Sequence, residues 1–179
     1  MKNAILNLGL FKAGWAAVVL LAAAGMPVAG ALAALAVVAV HLLRSADSRA
    51  ELVLVVVSAL VGFAWETILV VAGVLDYGTV ATVPGAAPFW IVTMWMLFAT
   101  TLNVGMRWLR KSTLIAGIAG LVGGPMAFIA GQGAGAVTLT DPVSSTVIIG
   151  LGWAVLLPTL VAIASRFDGQ QMPANAAAA

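Results

Sequence analysis

Residues 51–74 read ELVLVVVSALVGFAWETILVVAGV, and after Glu51 only one charge, Glu66, interrupts the run. A helix of that length rises about 36 Å, enough to cross a hydrocarbon core of about 30 Å. A backbone in lipid must satisfy its own hydrogen bonds, so helix is the expected state. Five more stretches of this kind flank it. The first is about 5–24 and stops at Gly25-Met26-Pro27. The second, about 27–43, runs into Arg44-Ser45-Ala46-Asp47-Ser48-Arg49. The others are about 88–106, 113–131 and 144–165. The expected fold is all-α and integral to a membrane: one domain over residues 1–165, a bundle of six transmembrane helices spanning 5–24, 27–43, 51–74, 88–106, 113–131 and 144–165. Residues 166–179, rich in Gly, Gln, Pro, Asn and Ala, read as a disordered cytoplasmic tail.

Composition agrees. Of 179 residues, 63% are hydrophobic and 8% charged, against about 25% charged in a soluble domain. Soluble enzymes, disordered chains and nucleic-acid binders are excluded, and a net charge of +2 is too small to imply a nucleic-acid partner. The chain has no Cys and one His, His41, so thiolate and multi-histidine metal sites are excluded by counting, and no metal or cofactor is expected. Lys2 and Ala22-Ala23-Ala24 imitate a secretory leader. However, Asn3, Asn7 and Lys12 interrupt the start and a second apolar stretch follows at once, so the segment reads as a helix. The shortness of 27–43 leaves open that one arm of the first hairpin is re-entrant.

Basic residues set the orientation. With the amino terminus inside, Lys2, Lys12, Arg44, Arg49, Arg107, Arg110, Lys111 and Arg166 all fall on the inner side, while Asp76 and Asp141 fall in outer loops. Both termini are expected in the cytoplasm, in the bacterial inner (cytoplasmic) membrane.

Glu66 is the residue with the strongest chemical signal. It lies about 22 Å from the inner face, where an acid is costly by several kcal/mol unless protonated, paired or hydrated. It is the candidate catalytic residue; the plain alternative is a structural hydrogen bond to a neighbouring helix. Lys12 lies about 12 Å away in depth, so snorkelling to the cytoplasmic headgroups is expected of it rather than pairing with Glu66. Trp95, Phe128 and Trp153 fall level with Glu66, and Trp65 and Thr67 adjoin it. Together these are the candidate ligand-binding residues, an aromatic layer suited to a flat apolar ligand, a polyene or a cation over ring faces, with ordinary aromatic packing as the alternative. A polar cytoplasmic mouth of Lys12, His41, Thr100, Asn103 and Arg107 is a second candidate, with interhelical hydrogen bonding as the alternative. On the fifth helix, Ala116, Gly120 and Gly124 form one small-residue row, and Gly123, Ala127, Gly131 and Gly135 another. Either row suits close approach of a helix or of a membrane-protein partner. Pro125 is expected to kink this helix, and Pro158 the sixth.

Several motifs carry a family resemblance: Pro88-Phe89-Trp90-Ile91-Val92, Trp95 through Asn103, Arg107-Trp108-Leu109, Gly123-Gly124-Pro125, Ala130-Gly131, Gly152-Trp153-Ala154 and Pro158, with Phe11, Trp15 and Glu66-Thr67. From about Leu8 to Ser165 the chain resembles the uncharacterised bacterial inner-membrane family called domain of unknown function 2878. The family pattern has Asp-Ser at Glu66-Thr67 and Gln at Lys12, departures that weigh against a fixed acid–base role. The resemblance implies an association with membrane-lipid modification and oxidative stress. A fainter likeness is to membrane carotenoid cyclases and hydratases, whose full acidic motifs are missing. The expectation is therefore an accessory or ligand-binding component tied to membrane-lipid modification or envelope stress, in contact with the bilayer and with a lipid or other apolar ligand. The alternatives are a small lipid- or isoprenoid-modifying enzyme with Glu66 as general acid, or a small proton-coupled carrier.

Overall fold

Each apolar stretch ends where the sequence supplies a cap or a turn. Asp47, Ser112 and Asp141 accept hydrogen bonds from the first backbone N–H groups of three helices. The first hairpin turns at Gly25, whose φ of 75° lets Met26 N–H reach back to the Leu21 carbonyl before Pro27 starts the next helix. The computed structural model describes residues 2–78, 83 and 85–170. Among these it has helices α1 (Lys2–Ala23), α2 (Pro27–Arg44), α3 (Ser48–Val71), α4 (Phe89–Leu102), α5 (Thr113–Gly133) and α6 (Pro142–Arg166). A 3₁₀ turn (Arg107–Lys111) joins α4 to α5. Strands β1 (Leu75–Asp76) and β2 (Thr138–Leu139) pair antiparallel, with Leu75 opposite Leu139.

Five helices, α1, α2, α3, α5 and α6, are long and apolar enough to cross a membrane. Both arms of the first hairpin are among them. Their outer faces carry apolar side chains with no protein over them, including Leu60, Ile68, Leu151 and Val155. Such a surface needs lipid.

The fourth helix departs from expectation. It was read as 88–106, but α4 covers 14 residues and stops at Leu102. The Thr100 and Thr101 hydroxyls donate to the carbonyls of Leu97 and Phe98, competing with the next backbone turn. Asn7 of α1 then completes the end: its side chain donates to the Thr100 carbonyl and accepts from Gly105 N–H. Polar side chains, not lipid, cover the broken end, as a membrane interior requires. Eleven of the 14 residues of α4 are buried, which makes it the central helix. It packs against α1, α2 and α3, while α1 pairs with α2 and α5 with α6.

The expected tail is partly placed. Arg166 closes α6, and Phe167 to Gln170 fold against the end of the bundle that carries the α2–α3 turn. Residues 171–179 lie outside the described residues. Both prolines sit inside continuous helices, Pro125 in α5 and Pro158 in α6.

Candidate functional site

A stripe of α3, Leu54, Ser58, Gly62 and Glu66, recurs at helical spacing and is buried. Gly62 is needed there: a Cβ at this position would run into the Trp95 ring, so the missing side chain lets Trp95 of α4 lie against α3. Trp95 Nε1–H then donates to Glu66 Oε1 at 3.0 Å. On the other side Tyr77 O–H donates to Glu66 Oε2 at 2.7 Å. Tyr77 comes from the chain just after β1, and pairing of β1 with β2 places it. Thr140 N–H and the Ser145 hydroxyl both donate to the Val74 carbonyl next to that strand. Glu66 is 1% exposed. Burial pushes the Tyr77 hydroxyl well above its ordinary range, and the charge and hydrogen bond of Glu66 add to the shift, so Tyr77 remains a donor.

The aromatic layer continues from this carboxyl group. Trp95 stacks on Trp153 of α6 with centroids 4.9 Å apart, and Phe98 meets Trp153 edge-on at 5.3 Å. Phe11 of α1 meets Phe98, and Tyr77 meets Trp90. Together these rings border a cavity of about 650 Å³, with α1 on one side and α5 on the other. Its closed end is Glu66, Tyr77 and Trp90; Met106, Trp108 and Leu109 mark its inner end. Gly123, Ala127 and Ala130 of α5 and Lys12 of α1 border it while staying exposed, so it opens between those two helices. Trp95, Phe128, Trp153 and Glu66 all lie in its wall. Trp65 and Thr67 do not: Trp65 packs on Gly152 of α6, and Thr67 Oγ1 accepts from Ala87 N–H at 3.1 Å.

Both glycine rows of α5 border the cavity, and one of them also seats α6. Gly120 and Gly124 lie on Trp153, whose carbonyl or ring a Cβ would strike, so this row lets α6 approach closely. Gly123, Ala127 and Gly131 border the cavity.

The polar residues expected at a cytoplasmic mouth separate. Glu51, 0% exposed, accepts from His41 Nε2 (2.9 Å), Asn103 Nδ2 (2.8 Å) and Gly169 N–H (3.1 Å). With Glu51 ionised, His41 carries its proton on Nε2. Asn103 also donates to the Phe167 carbonyl and accepts from Arg110, and Arg107 and Arg110 both bond Asp168. Burial raises the Asp168 carboxyl, but the hydrogen bonds from Arg110 and Gln170 N–H and the charges of Arg110 and Arg107 outweigh it. The group is held below the ordinary carboxylate range. His41, Asn103 and Arg107 thus share one closed network, and none borders the cavity. Thr100 stays on its own helix, and Lys12 borders the cavity instead.

Sequence reasoning passed over Tyr77, Glu51, Asp168 and Arg110. Asp168 fell within the stretch read as a disordered tail, and Glu51 at the very start of the third span, so neither stood out as a partner of Asn103. Among the described residues no group of His, Asp and Glu side chains could hold a metal ion.

The family described as "Protein of unknown function (DUF2878)" matches residues 4–159. No curated protein and no solved structure matches the chain.

Proposed function

The chain belongs to the DUF2878 family of unknown function and is a multi-pass protein of the bacterial inner membrane, and from its geometry we propose that it binds an elongated apolar molecule, an acyl or isoprenoid chain, in the cavity between α1 and α5. The observation that carries this reading is the cavity itself. About 650 Å³ lies within the range of ligand sites, roughly 300–1,000 Å³. Its wall is aromatic and aliphatic with few polar groups, Glu66 and Tyr77 at the closed end and Lys12 at the opening, which is the composition of a site that orients a mostly apolar ligand. The side opening faces the level of lipid chains, so a ligand enters from the bilayer without crossing water.

Glu66 serves this site by holding its donors. Glu66 borders the closed end, but both of its carboxyl oxygens are already engaged by Tyr77 and Trp95 and the residue is only 1% exposed. A general acid or a carrier's proton site must reach its ligand, so this placement favours a binding role over the enzyme and carrier alternatives. The link to membrane-lipid modification rests on the family resemblance.

The orientation belongs to the same proposal. The Arg107–Arg110–Asp168 network and the α2–α3 turn with Arg44 and Arg49 share one end of the bundle, and Asp76 and Asp141 share the other, which supports both termini inside and six crossings, α4 among them. Reporter fusions at Gly78 and Thr138 are expected to read as periplasmic and a fusion at Ala179 as cytoplasmic. For the ligand, acyl chains carrying bromine are expected to quench Trp153 and Trp95 fluorescence in the purified protein, with the quenching reduced in Trp153→Phe. Quenching that is undiminished in both Trp153→Phe and Trp95→Phe would place the chains outside the cavity and end the proposal.

A further inference from the structure

We infer that the cavity's occupant carries an anionic head, a carboxylate or a phosphate, held by Lys12 at the opening, with its chain running outward past Trp95 and Trp153; this rests on the cavity being a ligand site. The ion pairs among the described residues join Arg107 and Arg110 to Asp168, His41 is hydrogen-bonded to Glu51, and none of these contacts includes Lys12. Its ammonium stands 6.0 Å from the Phe11 ring and 5.9 Å from the Trp15 ring, at the outer limit of a cation–π contact. A cation bordering an apolar cavity in a membrane is stabilised most by an anion brought to it.

The closed end cannot take that head. Its polar groups are Glu66, Tyr77 and Trp95, and both donors already point at the carboxyl group. An anion there would meet a carboxyl and no free donor. Trp90 and Trp153 have indole nitrogens without partners, but these atoms are buried rather than open to the cavity. Charge therefore orients the ligand, head at Lys12 and tail at Trp90. Phe11 touches Phe98, which puts Lys12 near that level, and Trp90 lies eight residues further out along α4, roughly 12 Å of apolar wall.

The test uses full-length protein stripped of lipid in a neutral detergent and titrated with laurate, lauryl phosphate and lauryl alcohol, three heads on one chain, read by tryptophan fluorescence. The wild type is expected to bind an anionic form about tenfold or more tighter than the alcohol, the effect of one charge-assisted hydrogen bond. The tighter of the two anions names the head. Lys12→Gln is expected to remove the preference and leave alcohol binding in place, and Lys12→Arg to restore it. Equal affinity for alcohol and anions in the wild type, or a preference that survives Lys12→Gln, overturns the anionic head while leaving the cavity as a ligand site. Binding of none of the three overturns both.

Discussion

Helix α3 carries two buried carboxyl groups, Glu51 and Glu66, fifteen residues and about 22 Å apart on nearly the same face. Glu51 is held by polar groups that lead on to a charged network. Three donors converge on it, one of them, Asn103, is bonded in turn to Arg110, and the chain after α6 folds over it through Gly169. Glu66 has only neutral donors, a phenol and an indole, and both belong to the wall of the cavity. One acid type on one helix therefore does two jobs. Where its partners belong to a polar network that closes on itself through Arg110 and Asp168, it ties helices together. Where its partners are aromatic and line a void, it positions a surface for a ligand. Burial alone does not separate the cases, since both are almost fully covered.

Removing the inner acid is the most severe way to press this contrast. Glu51→Leu leaves His41, Asn103 and Gly169 N–H without their acceptor, and each buried donor so orphaned costs about 1–3 kcal/mol. A large fall in the detergent melting temperature is expected. Melting within a degree or two of wild type would mean the network is not what closes the inner end.

Glu66→Gln is milder. Glutamine keeps one acceptor oxygen, so either Trp95 or Tyr77 loses its partner, at about 1–3 kcal/mol. In a Tyr77→Phe background, where only Trp95 needs an acceptor, the same change is expected to cost less. Equal costs in both backgrounds would show that the Tyr77 contact is not made. Ligand affinity is expected to fall with Glu66→Gln and stay unchanged in inner-network variants that remain folded.

The smallest effect is with pH, read at Asp168. The folded carboxyl of Asp168 sits below its unfolded value of about 3.9, so in that window the unfolded chain binds more protons. Its stabilisation is fully present above about pH 4 and is lost as pH falls through the folded value. Asp168→Asn is expected to flatten this acid limb of the stability profile and leave ligand binding at neutral pH untouched. An unchanged acid limb would remove Asp168 from the network's account.

The membrane class was legible because hydropathy and length are local properties. Glu66, Trp95, Phe128 and Trp153 were legible because depth along a helix is arithmetic, and residues at one level of a small bundle meet. Depth says nothing of direction, so Trp65 and Thr67, next to Glu66 in sequence, turn away from the cavity. Nor does it reach loops: Tyr77 is set by pairing between β1 and β2, a contact between segments some sixty residues apart. The short α4 was hidden because its end is completed by Asn7 from another helix, a long-range contact with no local sign. Lys12 was assigned to the headgroups by its distance from Glu66, and that arithmetic could not reveal the void beside it.

Gly123 and Gly124 offer the most direct test of the cavity. A Cβ at Gly124 would strike the Trp153 ring, whereas a Cβ at Gly123 meets nothing within 4 Å. A large side chain at Gly123 therefore fills the void without moving a helix. The deciding measurement is the amount of lipid-like ligand retained per protein after purification, by mass spectrometry of an organic extract, in wild type and Gly123→Trp. Retained acyl or isoprenoid species in the wild type, and their loss from a Gly123→Trp protein that melts like wild type, is the predicted result. The same species at the same level in both proteins, or none in the wild type, would contradict it.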